Sequence, residues 1–386
     1  MINIEGITNG QTVYGIVKLK ARVSGITTGV NFYLDTIGED SVIGEGVYDG
    51  NSVYSTDWFT QETFNGMHTI YTITTYSDGT RSENSIDVKV INQTRADAIP
   101  SSVIKMTPAN DNAPPQLSFK FKNIWNDPVP MDGPINTTGA EDSPFITPDG
   151  NTFYFWFNAD ETKDIEEQVA DPLTGIWWSK RVNDQWQEPQ RLYLQYFNEI
   201  GLDGAPMVRG NTLWFVSIRK GNYRDIDIWT AEMVGGRWVN WDNAGELLNK
   251  NYDVGELHVS ADGSEIYYGS SRPGGKGQMD IWVTRKENGI WQEPENITQV
   301  DSTLNEGQPF LSEDGNELWF TRSTPGPEIW RTIKINGQWQ EPELIVSNLS
   351  GEPTLDLSGN LYFVHLRWDD TLNRATEADI YVCYRK

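Results

Sequence analysis

The sequence predicts an all-β chain, a β-sandwich followed by a five-bladed β-propeller. Three observations carry this. One phrase recurs four times, as DQWQEPQRL, GRWVNWDNAGELL, GIWQEPENI and GQWQEPELI, anchored on Trp186, Trp238, Trp291 and Trp339 at a spacing of about 50 residues. Ahead of each copy stands a second recurring element: Gly175-Ile176-Trp177, Asp227-Ile228-Trp229, Asp280-Ile281-Trp282 and Glu328-Ile329-Trp330, with Asp379-Ile380-Tyr381 closing the chain. Before the repeats, short alternating stretches separated by turn clusters fill the first ~95 residues.

Taken in order, residues 1–95 alternate apolar and polar positions in Val17-Lys18-Leu19-Lys20-Ala21-Arg22-Val23 and in Asp87-Val88-Lys89-Val90-Ile91, and turn at Tyr48-Asp49-Gly50 and Ser77-Asp78-Gly79. The succession NGQTVYGIVKLKARVSG, GVNFYLD, TDWFT, NGMHTIYTITTYSDG resembles the immunoglobulin-like modules appended to secreted bacterial enzymes and adhesins. The resemblance implies an immunoglobulin-like β-sandwich that acts as a spacer. Residues 96–115 are rich in Pro, Asn and Ala without periodicity and read as a linker.

Residues 116–386 divide into repeats. Their inner strands begin near SPFITPDG, APMVRG, ELHVSADG, QPFLSEDG and EPTLDLSG, and second strands follow as TFYFWF, TLWFVSI, EIYYGSS, ELWFTRS and LYFVHLR. Five inner strands predict five blades. The fifth stops after its third strand, and a ring must not leave that edge open. The expected closing strand is 117–122, Leu117 to Lys122. The unit SADGSEIYYGSSRPGGKGQMDIWVTRKENGIWQEPENI resembles the repeat of TolB-like (WD40-like) β-propellers, which carry a Pro-Asp-Gly turn, a Ser-x-Arg-Pro-Gly-Gly turn and Asp-Ile-Trp. The resemblance implies a shape that serves binding platforms, peptidases and carbohydrate-active enzymes alike.

The chain carries 30 basic against 55 acidic residues, a net charge of −25. That field repels phosphate backbones and anionic headgroups, so nucleic acid and membrane insertion are not expected. The single cysteine, Cys383, sits in an alternating strand and excludes an internal disulfide or a cysteine-rich zinc site. The N-terminus shows no signal peptide, and an extracellular location is expected if a leader has been removed. A monomer is expected. Phosphate-binding glycine loops, His-Glu-x-x-His and Gly-x-Ser-x-Gly are missing from the sequence.

Aligning the repeats on their Asp-Gly or Ser-Gly turns stacks one layer of Ser143, Ala205, Glu256, Gln308 and Glu352, with Glu141, Asp203, Val254, Glu306 and Ser350 two residues earlier. Side chains two apart share a face of a strand. Five carboxylates, Glu141, Asp203, Glu256, Glu306 and Glu352, are therefore expected around one mouth, with Asp142 competing with Glu141 for the inward position. Converging acids raise one another's pKa, and a protonated acid beside an ionised one is what glycoside hydrolysis needs. The competing reading is that the ring only holds waters, a cation or backbone amides. His258 lies two residues below Glu256.

Arg219, Arg272, Arg322 and Arg367 recur near the ends of second strands, where they contact substrate or pair with the repeated acids Asp227, Asp280, Glu328 and Asp379. Pairing is the expectation. The longer loops NADETKDIEEQVADPLTGIWW and RWDDTLNRATEAD break the repeat and bring Trp368, Tyr223 and Trp178 toward the mouth, where aromatic faces suit sugar rings.

The favoured reading is a secreted carbohydrate-active protein, a glycoside hydrolase cleaving a polysaccharide at the channel mouth. Acidic five-bladed propellers resemble arabinanase-like glycosidases, which use an inward acid and base and in some cases bind calcium near a channel histidine. That resemblance implies a catalytic pair Glu256 and Glu352, acting by inversion, with Glu306, Asp203 and Glu141 tuning it. His258, Gln308, Tyr223, Trp368, Arg272 and Arg367 would contact the sugar. No cofactor is required, and calcium in the channel is the one metal the resemblance implies. The alternatives are a noncatalytic glycan- or protein-binding platform and a polysaccharide lyase using His258 or a tyrosine as base.

Overall fold

The computed structural model describes residues 2–131, 133–369, 371 and 373–386. The chain divides into two compact units, Met1–Thr94 with Gln195–Glu199, and Arg95–Leu194 with Ile200–Lys386.

The first unit is two sheets around one core. One sheet orders Ile2–Glu5, Ile16–Val23, Val53–Phe59 and Val47–Gly50; the other orders Gln11–Val13, Arg81–Val90, Gly66–Tyr76, Thr27–Leu34 and Val42–Glu45. The alternation expected over residues 17–23 is present: Val17, Leu19, Ala21 and Val23 are buried, while Lys18, Lys20 and Arg22 are not. These apolar faces meet Phe32, Trp58, Ile70 and Val88 in a single cluster.

Among the described residues the second unit contains five antiparallel sheets, each a meander. Their first strands are Ala140–Ile146, Gly201–Arg209, Val254–Val259, Glu306–Leu311 and Ser350–Leu355. Each first strand adjoins the next, and the fifth adjoins the first, so they close a ring. Third strands turn back through tight hairpins whose two central residues both have positive φ, as at Asn183-Asp184, Gly235-Gly236, Asn288-Gly289 and Asn336-Gly337. Such turns match the twist of the strands they join, which explains the recurring Asn-Gly ahead of the tryptophan phrase. The tryptophans of the phrase lie under basic stems, Lys286 over Trp291 and Lys334 over Trp339.

Two expectations are corrected. The strand completing the fifth sheet is Val129–Pro130, paired with Tyr381 and Val382, and not 117–122. Gln116–Leu117 extends the fourth sheet instead, and Phe119–Phe121 is a 3-10 turn. The physical reason is burial: Leu117 and Phe121 pack against Ile345 and Val346 at the outer strand of the fourth sheet. The stretch 96–115, read as a linker, packs into the second unit through charged contacts. Lys105 Nζ meets Asp379 and lies 3.6 Å from Glu377, and Asp111 meets His365 Nε2 at 3.2 Å.

Cys383 is buried, and burial pushes its thiol up to about 12, as a packing residue requires. Among the described residues no helix is long and apolar enough to cross a membrane.

Candidate active site

The ring of first strands encloses a narrow axial cavity of about 30 Å³. Its upper layer is Ser143, Ala205, Glu256, Gln308 and Glu352; the layer beneath is Phe145, Met207, His258, Phe310 and Thr354. The layer that repeat alignment stacked, Ser143, Ala205, Glu256, Gln308 and Glu352, thus lines one cavity, with His258 beneath Glu256.

The expectation of five carboxylates at the mouth is corrected. Glu141, Asp203 and Glu306 are fully buried and face guanidinium groups. Glu141 accepts from Arg95 at 3.1 Å and from the Thr137 amide at 2.8 Å. Asp203 is bonded by Arg219 and by Ser217 Oγ at 2.7 Å, and Glu306 by Arg322 Nε at 2.7 Å. The cause is a bulge. All five first strands lose register with their neighbour at the same place, between Asp142/Phe145, Gly204/Met207, Val254/Leu257, Gly307/Phe310 and Gly351/Thr354. A bulge breaks strict alternation, so residues two apart no longer share a face.

In four repeats the bulged residue precedes proline, and it holds a left-handed backbone: φ is 46° at Ser143, 48° at Ala205, 46° at Gln308 and 58° at Glu352. Proline tolerates a bulge because it has no ladder hydrogen to lose. A positive φ on a residue with a Cβ costs on the order of 1–2 kcal/mol and marks a position held by its surroundings.

Of the recurring arginines, Arg272 and Arg367 donate to the Leu247 and Ile104 carbonyls, while Arg219 and Arg322 therefore pair with the first-strand acids Asp203 and Glu306, not with Asp227, Asp280, Glu328 and Asp379. Those four cap turns or take other partners: Asp227 accepts from the Tyr223 amide at 2.7 Å, Asp280 from the Gly277 amide at 3.0 Å, Glu328 from Thr324, and Asp379 from Lys105. Replacing Arg322 by methionine strands Glu306 in the interior. It is expected to cost ~3–5 kcal/mol in urea unfolding, and adding Glu306→Gln should recover part of that loss.

What remains at the mouth is a compact set. Ser143 Oγ donates to Glu256 Oε1 at 2.9 Å, and the Ser143 amide donates to Glu352 Oε2 at 2.8 Å and to Asp142 Oδ1 at 2.7 Å. Glu352 also shares a hydrogen bond with Asp142. Burial, then the charge of Asp142, pushes the Glu256 carboxyl up to about 8. Burial and the charges of Asp142 and Glu256 raise Glu352 well above the carboxylate range. One residue thus gathers three carboxyl groups, two of them held toward their protonated forms at neutral pH.

A cleft of about 250 Å³ opens beside them between the first two sheets. Asp142 and Glu256 line it, with Trp156, Leu202, Val216 and Ile226 as its apolar wall and Ile165 and Gln168 of the short helix Ile165–Ala170 at its side. Glu161 lies near enough to Asp142 that burial and that charge lift it to about 7. Sequence reasoning placed this loop at the mouth but missed Trp156 and Ile226. Trp156 sits at a regular second-strand position and so gave no distinguishing signal.

His258 lines the axial cavity but is 3% exposed, between Phe310 and Phe145 with ring centroids at 4.6 and 6.4 Å. Its Nδ1 accepts from the Leu311 amide at 3.2 Å, and burial drives its pKa well below the ordinary value. Four other candidates are not brought to the cavities. Tyr223 and Trp368 are 46% and 41% exposed outside their lining. Arg272 donates to the Leu247 carbonyl at 2.8 Å, and Arg367 to that of Ile104 at 3.4 Å. Trp178 stacks on Tyr154 within the core between sheets.

No cofactor was expected to be required, and the resemblance implied calcium in the channel only as an addition. Among the described residues, the three acids whose ligand oxygens all lie within 4.8 Å of one another are instead Asp280, Asp301 and Glu306, which are buried. Internal donors already serve this group: Arg322 on Glu306, and the Gly277 and Lys276 amides on Asp280 and Asp301.

No family model matches the chain, and no curated protein matches it. Among solved structures it is similar to an alpha-L-arabinofuranosidase from Lactobacillus brevis, with 13% identity, 64% of this chain and 92% of that one covered, and a TM-score of 0.41. TolB from Acinetobacter baumannii matches with 13% identity over 83% of this chain and 77% of that one, at a TM-score of 0.37. The endo-beta-1,4-mannanase from Thermotoga petrophila matches with 21% identity over 24% of this chain, at a TM-score of 0.22; the chain spans 20% of that protein's length. These TM-scores stay below 0.5, and function is argued from this chain's own residues.

Proposed function

We propose that the second unit is a five-bladed β-propeller of TolB-like repeats, that the first is an immunoglobulin-like module, and that the mouth of the propeller hydrolyses a glycosidic bond. The protein would be secreted and act on a polysaccharide or oligosaccharide as a monomer. The observation carrying this reading is a carboxyl held at about 8, Glu256, beside the charged Asp142 in one cleft walled by an indole, Trp156.

A carboxylic acid still protonated at neutral pH can give its proton to a leaving sugar oxygen. Glu256 takes that role, and Asp142 is the carboxylate that faces the developing positive charge at the anomeric carbon. Glu352 stands outside the cleft lining and holds Asp142 by their shared hydrogen bond. Ser143 positions all three. Ser143 bonds to Glu256, Glu352 and Asp142 alike, so the three acids converge on one residue. The stereochemistry of the product then separates Asp142 as a nucleophile, which gives retention, from the inversion expected from sequence. A cleft of about 250 Å³ accepts a single sugar unit, which favours cutting at chain ends or side branches.

The lyase alternative is weakened where it relies on His258 as base and on Arg272 or Arg367 as neutralising group. His258 is enclosed, and Arg272 and Arg367 are spent on main-chain carbonyls. The apolar share of the cleft wall favours glycan binding without cleavage as the second reading.

The test is a reducing-sugar release screen over plant, algal and microbial polysaccharides. Release from one substrate, lost in both Glu256→Gln and Asp142→Asn, supports the reading. Unchanged release in both variants removes it, and binding without release moves the assignment to a platform.

A further inference from the structure

The cleft beside Trp156 carries a charge imbalance that bond cleavage by itself does not use. Asp142 and Glu256 line it, Glu352 bonds to Asp142, and Glu161 feels the Asp142 charge. Among the described lining residues there is no lysine, arginine or histidine. The neighbouring guanidinium groups are engaged elsewhere. Arg219 is bonded to Asp203, to Ser217 Oγ at 2.7 Å and to the Leu194 carbonyl at 2.9 Å, while Arg374 donates to the Thr162 carbonyl at 3.3 Å. Most of the remaining wall is hydrocarbon and indole.

A charge enclosed by such walls must be matched by its ligand or remain uncompensated. A neutral sugar leaves Asp142 with hydrogen bonds alone, and a uronate is repelled by it. A bare divalent cation needs about six oxygens around it, and here two carboxylates, Asp142 and Glu256, share the lining with the hydrocarbon of Leu202, Val216 and Ile226. An ammonium on a carbon ring meets both demands. Its charge makes charge-assisted hydrogen bonds to carboxylate oxygens, and its apolar face and partial charge suit an indole.

We propose that the cleft selects a sugar unit bearing a free, protonated amine, with the ammonium against Asp142 and Glu256 and the ring against Trp156. This rests on the glycoside reading above and narrows it to amino-sugar substrates.

The experiment is titration calorimetry of the intact chain at pH 6 with three β-1,4 trisaccharides: of glucosamine, of N-acetylglucosamine and of glucose. The glucosamine trisaccharide is expected to bind at least tenfold tighter than either neutral one, with an advantage that shrinks in 0.5 M salt and is lost in Asp142→Asn. Gly204 lines the cleft with ordinary φ, and a Cβ there would meet Trp156 Cδ1 at 3.4 Å. Gly204→Leu therefore fills the cleft without changing its charge and should abolish binding even if Asp142→Asn fails to fold. Equal or tighter binding of a neutral trisaccharide overturns the proposal. So does an amine preference that survives Gly204→Leu, no binding of the glucosamine trisaccharide, or displacement of it by calcium chloride with calcium's own stoichiometric heat. Amine preference without cleavage would sustain this inference while removing the hydrolase reading. Cleavage of a neutral glycan without amine preference would do the reverse.

Discussion

Glu256→Gln is expected to lower hydrolysis by ~10²–10⁴-fold, the usual contribution of a positioned general acid, while leaving the fold intact. Glutamine is nearly isosteric, and its carbonyl can still accept from Ser143 Oγ. It also removes an ionisation that the site opposes, since burial and the charge of Asp142 both raise this carboxyl to about 8. The variant should therefore melt with the parent near pH 4 and increasingly above it as pH rises from there toward 8. This combination of lost rate with kept or increased stability separates a catalytic acid from a structural one. The parent's activity should fall as pH rises through about 8, where Glu256 loses its proton. Initial rates between pH 4 and pH 10 on the responsive polysaccharide measure it. A variant with parental rate ends the assignment.

Stability is expected to fall as pH rises from about 5 to 9, by on the order of 5–10 °C in Tm. The sign follows from the direction of the shifts. Glu256 at about 8, Glu161, Asp301 and Glu377 at about 7 and Asp379 at about 6 all lie above their unfolded values, chiefly through burial. Between the unfolded and folded pKa of each, the native state binds more protons than the unfolded chain. Stability then decreases with pH, and the full favourable effect is present only below the unfolded values. Asp262, lowered to about 2 by hydrogen bonds from Ser264 and Ser260, works the other way, and its contribution is lost as pH falls toward 2. An optimum near pH 4 results. The net charge of −25 adds self-repulsion in the same direction, but salt screens that surface effect and not the buried one. Melting curves at several pH values, with and without 0.5 M sodium chloride, separate the two. A Tm that rises from pH 5 to pH 8 in high salt contradicts the expectation.

The site was partly legible in the chain. Repeat alignment stacked Ser143, Ala205, Glu256, Gln308 and Glu352 in one layer, because register within a meander depends on local turns. It failed two residues earlier, at Glu141, Asp203 and Glu306, although a written signal was present. Ser143-Pro144, Ala205-Pro206, Gln308-Pro309 and Glu352-Pro353 each place a proline where a continuous ladder would reject it, and mark the bulge. The partner of Glu141 had no such signal. Arg95 precedes it by 46 positions, at the end of the segment read as β-sandwich.

The sequence by itself determined the order of strands, the hairpin turns and the five-fold repetition of the second unit, since all of these depend on residues near one another in the chain. Tertiary structure decided which acids are sealed in ion pairs and which remain free for chemistry. It also decided that Val129–Pro130 completes the fifth sheet and that Asp142, Trp156, Ile226 and Glu256 share one cleft. The reason is physical: desolvation and charge compensation depend on what lies across the fold from a group, and the spacing of residues along a strand does not encode that.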